Sequence, residues 1–236
     1  MLTARRIMNR ITGMIFITLM FFSVLKTDVS FAVARTIKLP EPSHGGTVSV
    51  EEAIYKRKSV RNFKAEGLTL PQVSQLLWAA GGMTVDGITG PTRAYASAGG
   101  IYPLDIYLVA GEVSGLAPGV YRYEWKTNEL VPLKQGDPRD ALARGAMGQG
   151  MIKTAPATIV IFADPAKTAR RYGSRGEQKY VSMDTGHLGQ NVHLQAQALG
   201  LGTVMVGAFS EPQVKSALGI KDGEPVYMMP VGYEKN

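Results

Sequence analysis

Apolar and polar positions alternate in blocks whose period changes along the chain, and the changes mark out the elements. The first block is "ITGMIFITLMFFSVL" (11–25), 15 residues without a charge. It falls short of the roughly 20 residues that span a bilayer. A basic head, "MLTARRIMNR", precedes it and the small residues "FAVA" follow. That order describes an export signal, with cleavage expected after Ala34; an uncleaved anchor is the alternative and would be the only membrane attachment. Arg5-Arg6 resembles a twin-arginine pair but lacks the usual Phe-Leu-Lys after it, so general secretion and twin-arginine export both stay open.

Residues 35–48, "RTIKLPEPSHGGTV", show no periodicity and read as a linker, with His44 solvated. Ser49 and Glu52 have capping-box spacing before "AIYKRKS", as do Thr69 and Gln72 before "VSQLLWAAGG". "IYPLDIYLVAG" (101–111) alternates as a strand. "GVYRYEW" and "ELVPL" form a hairpin about Lys126-Thr127-Asn128 that sets Tyr121, Tyr123 and Trp125 on one face. "DPRDALARGAMGQG" predicts a modest helix and "ATIVIFAD" (157–164) a buried strand. "MDTGHLGQNVHLQAQALGLG" predicts a long helix ending near Gly200. It is followed by a strand "TVMVGAF", a helix capped by Ser210 and Gln213 and stopped at Gly219, and a last strand "EPVYMMPVGY". Without a regular βαβ beat, the fold class is α+β with a mostly antiparallel central sheet flanked by helices. The domain plan is a signal at 1–34, a linker at 35–48 and one domain at 49–236. Segments 82–96 and 164–178 read as loops, the glycine-rich Gly81–Thr92 stretch as a lid.

Composition narrows the chemistry. The absence of cysteine excludes disulfides, thiolate metal sites and cysteine nucleophiles. Of the net charge of +7, residues 1–34 carry Arg5, Arg6, Arg10 and Lys26 against Asp28, a balance of +3, which leaves +4 for the rest. With no long basic run, nucleic acid is not the expected ligand. His187 and His193 stand six apart on the long helix and face different sides, so no metal site is expected. Ser97 in "YASAG" lacks the first glycine of a nucleophile elbow, and neither a P-loop nor a dinucleotide fingerprint is present.

The remaining chemistry sits in "YKRKSVRNF" (55–63), where Lys56, Arg57, Lys58 and Arg61 surround Ser59 at a helix end. Guanidinium forks beside a hydroxyl suit a phosphate dianion; cations complementing the helix dipole are the plainer reading. On the long helix His187, Asn191, Leu194 and Ala198 share a stripe with Gln190 at its border, and Gly186 and Gly189 allow a neighbour to pack closely. These polar groups are expected to satisfy buried backbone and partner groups, and His193 and Gln195 to be packing or surface residues.

Arg-x-Ser-x-Arg at 57–61 resembles the FMN-binding opening of the nitroreductase family. Four further segments agree in order: "RAYASAGGIYPLDIYLV", "RRYGSRGEQKYVSMDTGHLGQNVHLQAQALGLG", "VGAFSEPQVKSALGI" and "MMPVGY". The second and third of the five are similar to its SagB-type dehydrogenase branch, and the whole covers about residues 50–233. The resemblance implies a homodimer that uses FMN, with NAD(P)H as the habitual electron donor. It places Arg57, Lys58, Ser59 and Arg61 at the phosphate and pyrimidine end of FMN. Ser97, Ala98, Gly99 and Gly100 would form the loop over the flavin, usually given by the second subunit. Gln190 would sit near the ring, and Val206, Gly207 and Ala208 beside its N5 edge. Reduced flavin carries charge near N1–O2 that an arginine stabilises, and small residues let backbone N–H groups approach. Arg171 and Tyr172 stand where azoline-oxidising members of the branch have a catalytic Lys-Tyr pair; arginine stays protonated and is a poor base. Lys235 is the one candidate to complete the phosphate site after the last strand.

The function so implied is an exported, periplasmic FMN-dependent oxidoreductase working by ping-pong transfer through flavin N5, on a small molecule or a peptide. A quinone, a small metabolite or a protein could replace NAD(P)H outside the cytoplasm. The alternatives are a peptide-modifying azoline dehydrogenase and a non-catalytic dimer that binds flavin or a partner.

Overall fold

The computed structural model describes residues 35–87 and 90–235. The signal expected over 1–34 lies outside the described residues. In chain order the strands are β1 (Ile37–Lys38), β2 (Met83–Gly87), β3 (Gly90–Arg93), β4 (Leu104–Ala110), β5 (Gly119–Glu124), β6 (Glu129–Gln135), β7 (Ala157–Ala163), β8 (Gly202–Thr203) and β9 (Glu224–Gly232). The α-helices are α1 (Val50–Lys56), α2 (Leu70–Gly81), α3 (Arg139–Gly145), α4 (Gly150–Thr154), α5 (Pro165–Arg175), α6 (Val181–Ala198) and α7 (Glu211–Leu218). Seven strands make one sheet in the order β1-β6-β5-β4-β7-β9-β8, antiparallel at every pairing, while β2 and β3 form a separate ribbon.

"ATIVIFA", apolar but for Thr158 and buried at every position, becomes the interior strand β7 because it can be covered on both faces. Ile106 pairs with Ile161 on one side of it and Met229 with Ile159 on the other. Alternation then sends Ile159 and Ile161 into a core shared with Leu76 and Leu77 of α2 and Leu188, Val192 and Ala196 of α6. Val160 and Phe162 point the opposite way, into a core with Leu142, Ile152, Val214 and Leu218. Burying each such side chain stabilises the fold by about 1.5–3 kcal/mol. Tyr121 and Tyr123 enter the first core as expected, with Trp125 packed against it.

Several expectations need correction. The stretch read as a linker is stitched into the domain: Ile37 pairs with Leu130, Leu39 is 2% exposed, and Pro40 O accepts from Ser74 Oγ and Asn128 Nδ2. Residues 164–178 are not a loop but α5 and the start of a five-residue π-helical turn (Gly176–Tyr180) running into α6. Only Thr168 of α5 is buried, so its polar sequence shows no broad apolar stripe. Residues 82–96 contain the β2–β3 ribbon. "TVMVGAF" pairs only through Thr203 and a bridge from Val206 to Met228. The Thr69–Gln72 capping box forms in full, but at Ser49 only the serine half does, because Glu52 turns to Lys56 at 2.6 Å. Ser210 makes no side-chain cap. Among the described residues no helix is long and apolar enough to cross a membrane.

Candidate active site

Helix α1 stops at Arg57, where ψ turns to 133° and the chain leaves extended. It then runs along the sheet edge: Ser59 pairs with Thr203, and Val60 N–H donates to Thr203 O at 2.9 Å. Further on, Phe63 bridges Glu234, Lys64 N–H donates to Tyr233 O, and Lys235 N–H to Asn62 O. Val60 and Phe63 face inward against Ala155. Lys58, Ser59 and Arg61 are left exposed, with Arg57 half-buried. Inward-facing Val60 and Phe63 leave the polar residues around them at the surface; of the four predicted phosphate contacts, Arg57 and Lys58 line the cleft at this edge and Ser59 and Arg61 do not.

Lys58 pairs with Glu234 at 2.8 Å. Arg57 and Arg61 have no side-chain hydrogen bond or ion pair to any described residue. A cleft of about 110 Å³ opens here, lined by Arg57, Lys58, His193, Gln197, Gly202 and Glu234 among others. Expected to be a packing or surface residue, His193 is 3% exposed and lines this cleft. Burial, then the facing Arg57 guanidinium, push its imidazole down to about 4 from the ordinary 6.5. The ring is neutral at pH 7.

A second group forms around the turn at Ser97–Gly100. Ser97 Oγ donates to Asp184 Oδ2 at 2.5 Å and accepts from Tyr102 N–H at 2.9 Å, while Ala98 N–H donates to Asp184 Oδ1 at 3.2 Å. Asp184 is 1% exposed. Gly99 and Gly100 have φ of 62° and 66°, and Tyr102, without a glycine's freedom, has 52°. Arg171 and Tyr172 come to this same turn. Arg171 Nη1 approaches Gly99 O at 3.5 Å, and a Cβ on Gly99 would fall 2.5 Å from Tyr172 Oη. The Tyr172 ring is braced edge-on by Tyr180 at 5.0 Å, and Arg175 Nε donates to Tyr180 Oη.

The third group is Val206–Ala208. Val206 exchanges both backbone bonds with Met228, and beyond it Gly207 and Ala208 are exposed, Ala208 O accepting from Gln149 Nε2. Gln190 is exposed on α6. At about 100° per residue it shares a stripe with His193 and Gln197 rather than with the Asp184 side. His187 Nδ1 lies 2.9 Å from Ala96 O, and Asn191 Nδ2 donates to Ala94 O at 2.7 Å. Those polar groups do hold backbone, although His187 itself is exposed.

Helix α6 therefore organises two groups. Asp184 near its start anchors the Ser97 turn, and His193 lies against Arg57 nine residues on, roughly 13 Å along the axis. Sequence reasoning missed both. An isolated acid in an apolar helix signals the first; Gln190, His193 and Gln197 at i, i+3 and i+7 signal the second.

The nitroreductase family model matches residues 54–233. The protein MJ1384 of Methanocaldococcus jannaschii, which bears the nitroreductase name, is 39% identical over 196 residues, 83% of this chain and 95% of that relative. The trifolitoxin operon protein TfxC of Rhizobium leguminosarum bv. trifolii is 24% identical over 193 residues, 77% of this chain, which spans 54% of TfxC's length. A crystal structure with the nitroreductase name from Ralstonia eutropha JMP134 superposes with a TM-score of 0.72 at 26% identity, covering 87% of this chain and 92% of its own. With its sheet order, its matched length and a relative of this identity, the chain belongs to the nitroreductase family and is an oxidoreductase.

Proposed function

We propose that the protein is an exported, periplasmic, homodimeric FMN-dependent oxidoreductase of the SagB-type branch, acting by ping-pong exchange. The observation that carries the cofactor reading is the edge at 57–61, where Arg57, without an acidic partner among the described residues, lines a phosphate-sized cleft with Lys58, and Ser59 and Arg61 follow exposed along the chain. These residues fit a phosphate-bearing ligand, since unpaired arginines are the groups that form bidentate bonds with phosphate. FMN, when bound, supplies hydride or electron exchange at N5.

The chain's own residues then divide the work. Arg57 and Arg61 hold the anionic end, and Ser59 adds a hydroxyl donor. Gly207 and Ala208 offer backbone unobstructed by large side chains. Asp184 fixes the Ser97–Gly100 turn that closes over the ring from the partner subunit, and Tyr172 with Arg171 braces Gly99 from the other side. Exposed Val50, Ile54 and Tyr55, all on α1, support a partner covering that helix.

Stopped-flow mixing with NADH and NADPH tests the donor: bleaching of the flavin by either assigns nicotinamide, and bleaching by neither leaves a quinone, a metabolite or a protein as donor. Replacing Arg57 and Arg61 together by alanine is expected to strip flavin from a folded protein. Retained flavin would favour a solvated basic surface and the non-catalytic binding alternative. The resemblance of the segment around Arg171-Tyr172 to azoline-oxidising members of the SagB-type branch, together with Tyr172 held at the turn, supports a second reading in which the substrate is a peptide azoline. Under it, Tyr172→Phe keeps flavin but abolishes turnover; Arg171 in place of lysine argues against it.

A further inference from the structure

We propose that His193 is a phosphate-binding residue, its neutral imidazole donating a hydrogen bond to the phosphate of FMN in the cleft beside Arg57. The inference rests on the flavin reading above and adds a residue from the middle of α6 to it. A buried polar side chain normally has a partner. His193 has none among the described residues, yet it is 97% buried by its 3% exposure and lines the cleft. The void is about 110 Å³, a few water volumes at roughly 30 Å³ each. That is the size of a tetrahedral oxyanion and well below the roughly 300 Å³ at which whole-ligand pockets begin.

The other lining groups leave a donor vacancy that the imidazole suits. Thr203 cannot serve, because its hydroxyl donates to Pro230 O and its carbonyl accepts from Val60. Lys58 is engaged with Glu234, whose carboxylate also borders the cleft and opposes an anion. Arg57 is the one lining cation without an acidic partner among the described residues, and Gln197 offers an amide one turn beyond His193. Counting Arg57, Lys58 and Glu234, the cleft carries a net charge of about +1. A second donor that adds no fixed charge lets the cleft bind a dianion without self-repulsion when empty. The stripe from Gln197 through His193 continues to exposed Gln190, so phosphate at one end leaves the rest of the ligand to follow the helix.

The test compares FMN with riboflavin, which lacks the phosphate, by quenching of flavin fluorescence in flavin-free purified protein. His193→Ala is expected to weaken FMN about tenfold, the ~1.4 kcal/mol of one hydrogen bond to a charged group, and to leave riboflavin unchanged. His193→Gln, which keeps a donor, should restore most of the difference. In the unmutated protein, the His193 ring resonances should shift with FMN or inorganic phosphate and stay still with riboflavin, a readout that needs no variant to fold. Equal loss of FMN and riboflavin in His193→Ala would mean a packing role and overturn the proposal. So would unchanged FMN affinity, or ring resonances indifferent to phosphate, in a protein that still prefers FMN to riboflavin; those results leave the flavin reading standing. Wild-type protein that binds neither flavin would overturn both.

Discussion

Removing the carboxylate of Asp184 should loosen the turn at 97–102 and destabilise the whole domain by a measurable amount. In Asp184→Ala the Ser97 hydroxyl and the Ala98 N–H lose their acceptor. Hydrogen bonds to a charged group contribute about 1.5–3 kcal/mol each. Ser97 and Ala98 are only half-buried and can recover water, so the net loss should be about 2–3 kcal/mol rather than the sum. For a domain of this size that corresponds to a fall in Tm of about 4–12 °C. The turn also stores strain at Tyr102, a non-glycine residue at positive φ whose N–H is held by Ser97 Oγ. Once Ser97 is untethered, Tyr102 can relax, and the Ala98 and Tyr102 amides should exchange faster. Asp184→Asn keeps one acceptor and should lose about half as much stability. A double-mutant cycle with Ser97→Ala should show coupling of about 1 kcal/mol or more. The assay is thermal denaturation by circular dichroism with amide exchange on the same variants. An Asp184→Ala protein with unchanged Tm and unchanged exchange at both amides would refute the reasoning.

Three further outcomes follow from packing and charge. Gly202→Ala would set a Cβ 2.5–2.8 Å from the Cβ and both γ carbons of buried Val60, a β-branched side chain that cannot turn away; a loss of about 1–3 kcal/mol and weaker flavin retention are expected, checked by melting and absorbance. His193, held at about 4 against an ordinary 6.5, leaves the unfolded chain binding one more proton between those values. Stability of the flavin-free protein should therefore fall as pH drops from about 6.5 toward 4, and His193→Gln should flatten that limb of a Tm-versus-pH curve. A chain that begins at Ser43 loses β1 and Leu39, buried at 2%, and should melt several degrees lower; an unchanged Tm would mean that this segment is the linker its sequence describes.

Much of the fold was legible because it rests on local rules. "ATIVIFA", short and rich in β-branched residues, reads as a strand covered on both faces, and Thr69 with Gln72 caps α2 as spacing dictates. The failures share a cause, competition from groups distant in sequence or unseen in pattern. Glu52 left its box for Lys56, α5 buries too little to carry a broad apolar stripe, and Leu39 is apolar for the sake of a core contributed by residues far downstream. At the site, the Arg57–Arg61 cluster was readable from its own residues. The company it keeps was not: Glu234 reaches Lys58, and His193 faces Arg57, only through the sheet edge and α6. Likewise, nothing local says that Asp184 binds a turn 86 residues earlier.

The most direct measurement is the visible absorption spectrum of the purified protein, with the released chromophore identified by mass. An oxidised-flavin spectrum and the mass of FMN are the predicted result, carried by Arg57 and Arg61, which lack acidic partners among the described residues, and lost when both become alanine. A colourless protein that also fails to take up added FMN would contradict the account.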